Sequence, residues 1–418
     1  MRRLDGRAGF AGGKPAECAQ AEAQDQVRCT RTRTRARKEP PGVHKRNSRE
    51  GRAYVLYADQ TSTHNVPTTK QKQNSQQCRV EHGSTGEPRI EVANGTTILG
   101  GLVVRYHGKS HAGASPGNPV KENQDAGLVV PYEEKSALFV GVYDGHGENG
   151  RKVSQFLIKR FPQHMQNGSA FKSGKYDDAM KGAADVTNNE LRRQGFDLST
   201  SGSTGCMLYV TADGKLCTGN VGDSRAVRGV PGQPAQALTL DHKPTLPGEL
   251  QRIRAKGGIV RPLRIDGEDI GPPRVWRGGS PLTPGLCMSR SFGDEIGRGV
   301  GVICEPEIDR FQIGDPPYAD ASDGQYIVVA SDGIWEFLEN DDVMEIIYEC
   351  GGDLTLACDT LIERSRNAWI EEEGEVIDDC TAIVLHIAPE GGGESQSAGG
   401  DTAPEASTAA SEPAAEAE

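Results

Sequence analysis

Hydrophobic and polar positions divide the chain into a patterned middle and two unpatterned ends. From about residue 96 to residue 388, short apolar runs alternate with segments of helical spacing, whereas the ends show no sustained period. We therefore predict a disordered basic and polar extension over 1–90, a folded domain over 91–389 and a disordered acidic low-complexity tail over 390–418.

Apolar runs and helical spacing predict the elements of the folded domain. The predicted strands are 102–106, 126–130, 137–142, 206–210, 215–220, 226–228, 326–330 and 381–387. The predicted helices are 153–161, 177–193, 247–256, 343–349 and 354–367. Residues 260–285, rich in Gly, Pro and Arg, are predicted to form a surface excursion. Helices and strands come in groups, which favours an α+β layered domain over a doubly wound sheet.

Composition narrows the class of protein. The formal net charge of −12 argues against a nucleic-acid-binding core. Ten cysteines without a Cys-x-x-Cys pair, and no apolar segment near the roughly 20 residues of a membrane span, predict an intracellular protein, cytoplasmic or nuclear, without a membrane partner. The basic run from Arg31 to Lys38 is open to three interpretations: a nuclear address, a transit-like segment or a solvated tail.

Candidate chemistry lies in four short acidic segments, at Asp125, Asp144, Asp332 and Asp378. Two of these residues follow predicted strands and one precedes the last strand, so their carboxylates reach the rim of a sheet. An Asp-Gly pair is often only a turn, but an unpaired carboxylate beside a buried strand is costly. A cup of oxygen ligands suits Mg²⁺ or Mn²⁺. His146 beside it is a candidate general acid, because its ordinary pKa is near neutrality.

Nine motifs in a fixed order carry a resemblance to a known family. They are Lys121 to Asp125, Val142 to Gly147, Ser203 to Gly205, Gly219 to Arg225, Asp241 to Pro244, Gly285 to Asp294, Glu305 to Ile308, Ala330 to Glu336 and Asp378 to Val384. Over roughly residues 95–388 the chain resembles the metal-dependent protein Ser/Thr phosphatases of type 2C. The resemblance implies a central β-sandwich of two antiparallel sheets flanked by helices, with a two-metal site at one end.

The resemblance also implies a role for each matching residue. Residues 260–285 take the place of the family's flap, which borders the substrate channel. The implied ligands of two ions, Mg²⁺ or Mn²⁺, are Asp144 as the bridge, the Gly145 carbonyl, Asp332 and Asp378, with Asp125 binding directly or through water. Asp223 and Glu336 match the positions of a weaker third ion. His146 matches the proposed acid that protonates the leaving oxygen.

Three positions depart from the family pattern. Gln124 stands where many members have Glu, which removes a charge near one ion. Val120 stands where many have a phosphate-binding Arg, and the adjacent Lys121 is the candidate replacement, although Lys offers only a point charge. Asp379 replaces the usual Asn, so the register is open; pairing Thr381 with the family's Thr makes Asp378 the ligand.

The implied activity is hydrolysis of phosphoserine and phosphothreonine in protein substrates by metal-activated water, in a monomeric enzyme. Two alternatives stay open, a catalytically weak regulatory member of the fold and a phosphatase of small phosphate esters. The presence of all four aspartates, at 125, 144, 332 and 378, favours an active enzyme.

Overall fold

The computed structural model describes residues 89–279, 283–318 and 323–391. The strands are β1 (Arg89–Leu99), β2 (Leu102–His111), β3 (Ala126–Tyr132), β4 (Ala137–Tyr143), β5 (Gly145–His146), β6 (Gly202–Ser203), β7 (Gly205–Thr211), β8 (Lys215–Val221), β9 (Arg225–Gly229), β10 (Gln236–Ala237), β11 (Gly258–Ile265), β12 (Glu268–Arg277), β13 (Thr283–Leu286), β14 (Phe292–Gly293), β15 (Glu307–Gln312), β16 (Gln325–Ala330) and β17 (Cys380–Pro389). The helices are α1 (Gly150–Asn167), α2 (Ser169–Lys172), α3 (Tyr176–Leu191), α4 (Pro247–Ala255), α5 (Glu295–Arg298), α6 (Asp332–Trp335), α7 (Asn340–Glu349) and α8 (Leu354–Glu373).

Two antiparallel sheets form the centre of the domain. One has the strand order β1-β2-β17-β16-β9-β10, and the other has the order β15-β8-β7-β4-β3. Strand β4 is buried at every position, so its alternating side chains show which apolar core lies on each face of its sheet. Leu138, Val140 and Val142 join the core between the sheets, whereas Phe139 and Tyr143 join the core on the opposite face. The period of two along a strand therefore supplies both faces of the sheet with apolar side chains.

Helices cover the outer faces of both sheets. On the five-stranded side, α1 and α3 pack their apolar residues, among them Leu157 and Met180, against β4 and β7. On the six-stranded side, α7 and α8 do the same through residues such as Ile347 and Leu361. The predicted α+β sandwich of two antiparallel sheets flanked by helices is confirmed.

Two strands of the central sheets that the hydrophobic pattern missed in part or in full, β1 and β15, lie at sheet edges. β1 begins seven residues before Thr96, where the pattern predicts order to begin, and β15 is not predicted at all. Each is an edge strand, in the six-stranded and the five-stranded sheet respectively. Edge strands face solvent and carry more polar residues, so their apolar signal is weak.

The predicted excursion over 260–285 is largely ordered as a small sheet of β11, β12 and β13. It has its own apolar core, because Val275 of β12 packs with Ile253, Leu286 and Val300. Composition alone did not indicate this sheet, because glycines and prolines outnumber apolar residues in the segment.

The predicted extension over 1–90 and tail over 390–418 lie outside the described residues, except at their inner ends. No helix within the three described ranges is long and apolar enough to cross a membrane.

We predict that residues 89–391 fold without the rest of the chain, because the four apolar cores are built from these residues. The melting temperature of the 89–391 fragment should lie within a few degrees of that of the full chain in a calorimetric scan. An insoluble fragment, or one that melts much earlier, would show that an end segment belongs to the fold.

Candidate active site

Antiparallel pairing brings the predicted carboxylates to one end of the sandwich. Asp125 precedes β3 and Asp144 follows β4, and the strand residues next to them, Ala126 and Tyr143, are paired. Asp332 follows β16 and Asp378 precedes β17, which pair in the same way in the other sheet. Neighbouring antiparallel strands begin and end at the same edge, so each sheet contributes two of these aspartates to the site.

A hydrogen bond joins the two halves of this site. The hydroxyl of Ser331, at the end of β16, donates to Oδ2 of Asp125 over 2.7 Å. The same Ser331 oxygen accepts the backbone N–H of Thr381 at 3.0 Å. Asp125, at the start of a strand in the five-stranded sheet, is thereby fixed to the strand ends of the six-stranded sheet.

Burial and the crowding of carboxylates together determine the electrostatics of the site. Burial, with added repulsion from Asp223 and Asp378, raises the pKa of Asp332 to about 7. Burial also raises the pKa of Asp144 and of Asp125 well above the ordinary range, with neighbouring carboxylates acting in the same direction. A divalent cation would relieve this repulsion and favour the ionised forms.

The carboxylate oxygens of the site are ligands of the kind that a hard cation prefers. Oδ1 atoms of Asp125, Asp223 and Asp332 are buried and have no hydrogen-bond partner among the residues that the structure describes. Unpaired buried carboxylate oxygens cost free energy unless a cation approaches them. Within the described ranges, no group of three or more His, Cys, Asp or Glu side chains is already arranged around a single metal position. Two lysine ammonium groups lie among the carboxylates instead.

Lys121 is one of these two lysines. Its Nζ lies 2.6 Å from Oδ1 of Asp378 and 3.6 Å from Oδ2 of Asp379. Burial lowers the pKa of Lys121, but the two carboxylates outweigh that effect and raise it above its ordinary value. Lys121 is therefore a charged member of the site.

Lys243 is the other, and it is a residue for which the sequence predicted no role. Its Nζ donates to Oδ2 of Asp223 over 2.5 Å, and Asp223 is 1% exposed. Glu336, the predicted companion of Asp223, is exposed at the end of α6. The signal for Lys243 was its place in one of the nine motifs, Asp241 to Pro244.

The geometry separates Asp378 from its neighbour Asp379. Asp379 is 4% exposed, and its two oxygens accept the backbone N–H groups of Gly113 at 2.7 Å and Gln124 at 2.9 Å. Asp378 is 39% exposed and faces Lys121. Asp379 thus holds two loops together, while Asp378 presents its carboxylate to the site.

Gly145 lies in β5, where backbone crowding demands a glycine. A Cβ atom there would come within 2.5 Å of the Gly150 carbonyl oxygen and 2.6 Å of the Gln124 carbonyl oxygen. The amide of Gln124 donates to the Gly147 carbonyl over 2.8 Å. Gln124 therefore supports the backbone that follows Asp144.

His146 pairs with Asp294, a residue to which the sequence assigned no role. Its Nε2–H donates to Oδ2 of Asp294 over 2.7 Å, while its Nδ1 has no partner within the described part of the chain. Burial lowers the pKa of His146, but Asp294 more than compensates, so the pKa lies above its ordinary value. The imidazolium form is the one that can donate a proton.

A separate cleft of about 480 Å³ is lined by charged residues that include Asp177, Arg290 and Glu307. None of the predicted site residues lines it. We place the chemistry at the acidic site, because the convergent carboxylates and the perturbed pKa values are there.

Comparisons with known proteins show what the chain is similar to. Residues 120–372 match the family model described as protein phosphatase 2C. The chain is 34% identical over 281 residues to the probable protein phosphatase 2C 72 of Arabidopsis thaliana, a match covering 63% of this chain and 81% of the relative. It is 29% identical over 341 residues to the probable protein phosphatase 2C 65 of the same plant, covering 74% and 85%.

A solved structure shares the fold. The serine-threonine phosphatase 2C from Toxoplasma gondii superposes with a TM-score of 0.57 at 20% sequence identity, covering 72% of this chain and 99% of that chain.

We predict that the stability of the metal-depleted protein falls as the pH rises from about 4 to about 7. Asp332 has its pKa raised from 3.8 to about 7 in the folded state, so folding favours its protonated form. That contribution is complete below the unfolded pKa and is lost as the pH rises through the folded one. The slope is at most about 1.4 kcal/mol per pH unit for one proton.

Urea unfolding between pH 4 and 7.5 measures this slope. Asp332→Asn should flatten it, whereas the matched change Glu363→Gln on the exposed face of α8 should not. Equal slopes in Asp332→Asn and the unsubstituted protein would contradict the assignment.

Proposed function

The chain belongs to the protein phosphatase 2C family, and from this premise we propose that it uses its acidic site to bind two divalent cations, Mg²⁺ or Mn²⁺, and to hydrolyse phosphoserine and phosphothreonine in proteins. It is a protein serine/threonine phosphatase. The observation that carries the metal proposal is the convergence of buried carboxylates from both sheets, three of whose Oδ1 atoms lack a partner in the described ranges.

Each predicted ligand has a place in this proposal. Asp144, the Gly145 carbonyl, Asp332 and Asp378 would hold the two ions, with Asp125 beside them. Asp223 and Glu336 would serve a third. When bound, such ions lower the pKa of a shared water and orient it for in-line attack on phosphorus.

The residues of the chain perform the remaining tasks. Lys121 and Lys243 neutralise carboxylates that would otherwise repel a phosphate dianion. His146, with its raised pKa, donates a proton to the leaving oxygen. The thiol of Cys380, two residues from Asp378, is buried, and burial raises its pKa, so it is a poor nucleophile. Attack by water needs no covalent enzyme intermediate.

We predict that Asp144→Asn lowers turnover at least about a hundredfold, the scale for losing a key electrostatic group. EDTA should abolish the activity of the unsubstituted protein, and added Mn²⁺ or Mg²⁺ should restore it. Turnover of a phosphothreonine peptide and of p-nitrophenyl phosphate measures both effects and separates protein substrates from small esters.

The matched control is Asp178→Asn, on the exposed face of α3, which should keep full activity. Near-normal turnover by folded Asp144→Asn would overturn the proposed ligand set.

We predict that Lys121→Met lowers kcat/KM about ten- to a hundredfold, mainly through KM, if Lys121 holds the substrate phosphate. The loss corresponds to roughly 1.5–3 kcal/mol for a hydrogen bond to a charged group. The concentration of Mn²⁺ needed for half-maximal activity should change little.

Lys109 offers a matched control, because it makes a 2.6 Å ion pair with Asp359 outside the site. Lys109→Met should leave KM unchanged. If Lys121→Met instead leaves KM unchanged and lowers the Mn²⁺ requirement, Lys121 acts only as the counterion of Asp378.

A further inference from the structure

Beyond the residues assigned above, we propose that Asp294 positions His146 for proton donation to the leaving oxygen. The inference rests on the proposed function and adds a positioning residue to it. Four features of the fold support it: a short hydrogen bond, a gap at Gly202, an immobilised carboxylate, and a helix start that does not use its own capping side chain.

A three-stranded ribbon carries both partners. β5 pairs with β6, and β6 pairs with β14 on its other side. In this register His146 lies opposite Gly202, and Gly202 lies opposite Gly293. Asp294 follows Gly293 directly, so the histidine and the aspartate approach each other across the middle strand. Their side chains meet at 2.7 Å.

Gly202 provides the space for this contact. A Cβ atom built on Gly202 would lie 2.1 Å from Oδ2 of Asp294, the same oxygen that accepts from His146. It would also lie 2.6 Å from the carbonyl oxygen of Phe292. Any side chain at residue 202 would therefore push Asp294 away from His146.

Two side chains, His146 and Ser291, hold one oxygen of the Asp294 carboxylate. Asp294 is fully buried, and Ser291 donates its hydroxyl to Oδ2 over 2.5 Å. Its backbone N–H donates to the Ser201 carbonyl at 3.0 Å. The residue adopts φ 46° and ψ 55°, a left-handed conformation that Asp tolerates better than most residues and that the surrounding contacts must maintain.

Asp294 also stands at the start of α5, yet its side chain does not cap that helix. It is the N-cap residue of α5, where an aspartate ordinarily accepts a hydrogen bond from the first turn. Here the side chain makes no capping hydrogen bond and points to His146 instead. The Asp294 carboxylate therefore hydrogen-bonds to the His146 imidazole and not to the first turn of α5.

The consequence is a defined tautomer. With Nε2–H committed to Asp294, Nδ1 is the ring nitrogen without a partner among the described residues. As water forms its bond to phosphorus and the bond to the leaving oxygen breaks, the electron pair goes to that oxygen, which takes the proton from Nδ1. The neutral ring keeps its Nε2 proton, which stays hydrogen-bonded to Asp294.

Leaving groups of different basicity test this role. Turnover numbers are measured with saturating Mn²⁺ on p-nitrophenyl phosphate, phenyl phosphate and a phosphothreonine peptide, for the unsubstituted protein, Asp294→Asn, His146→Gln and the double variant. A good leaving group needs little protonation. We expect Asp294→Asn to lose about ten- to a hundredfold more on phenyl phosphate and the peptide than on p-nitrophenyl phosphate.

His146→Gln should show the same pattern, and the double variant should be no worse than His146→Gln alone, because the two residues act as one unit. Equal losses on all three substrates, or losses that multiply in the double variant, would make Asp294 a purely structural residue. Absence of turnover by the unsubstituted protein would instead refute the proposed function.

Two further variants keep the test decisive if Asp294→Asn does not fold. Ser291→Ala retains the carboxylate but removes its second donor, and it should show a weaker form of the same leaving-group pattern. Gly202→Ala should reproduce the pattern of Asp294→Asn. Its matched control is Gly182→Ala in α3, where a Cβ atom meets nothing within 4 Å. A flat response in Ser291→Ala and Gly202→Ala would overturn the proposal.

Discussion

Repulsion among buried carboxylates at one end of the sandwich is the constraint around which the site is organised. Burial raises the pKa values of Asp125, Asp144 and Asp332, and neighbouring carboxylates raise them further. Such a cluster opposes folding, because like charges in a poorly solvated place repel strongly. The apolar cores on both faces of both sheets offset this cost and keep the carboxylates together.

The compensating groups around this cluster are of two kinds. Ser331 and the backbone donors to Asp379 fix the loops and leave the remaining oxygens facing the centre. Lys121 and Lys243 supply positive charge through ion pairs with Asp378 and Asp223.

His146 is held by a different set of contacts from those that hold the carboxylates. His146 is placed by the β5-β6-β14 ribbon, and its contact with Asp294 depends on the missing side chain of Gly202. The carboxylate cluster and the β5-β6-β14 ribbon meet just after β4, because Asp144 belongs to the cluster and His146 belongs to the ribbon. Two residues apart in sequence, they are held by separate sets of contacts.

The sequence by itself determined the class of the fold, most of the central strands and covering helices, and the aspartates that gather at the site. These follow from apolar periodicity and from motifs that stand at strand ends, because local pattern reports which face is buried. The edge strands β1 and β15 escaped, since half-solvated strands carry a weak apolar signal.

Only the tertiary structure decided which side chains complete the site. Lys243 lies 20 residues from Asp223, and Asp294 lies 148 residues from His146, so no local spacing could join them. The distinction between Asp378 and Asp379 likewise depended on which carboxylate the distant backbone of Gly113 reaches. Partners brought together by the tertiary fold leave no periodic trace in the chain, because their contact is set by packing.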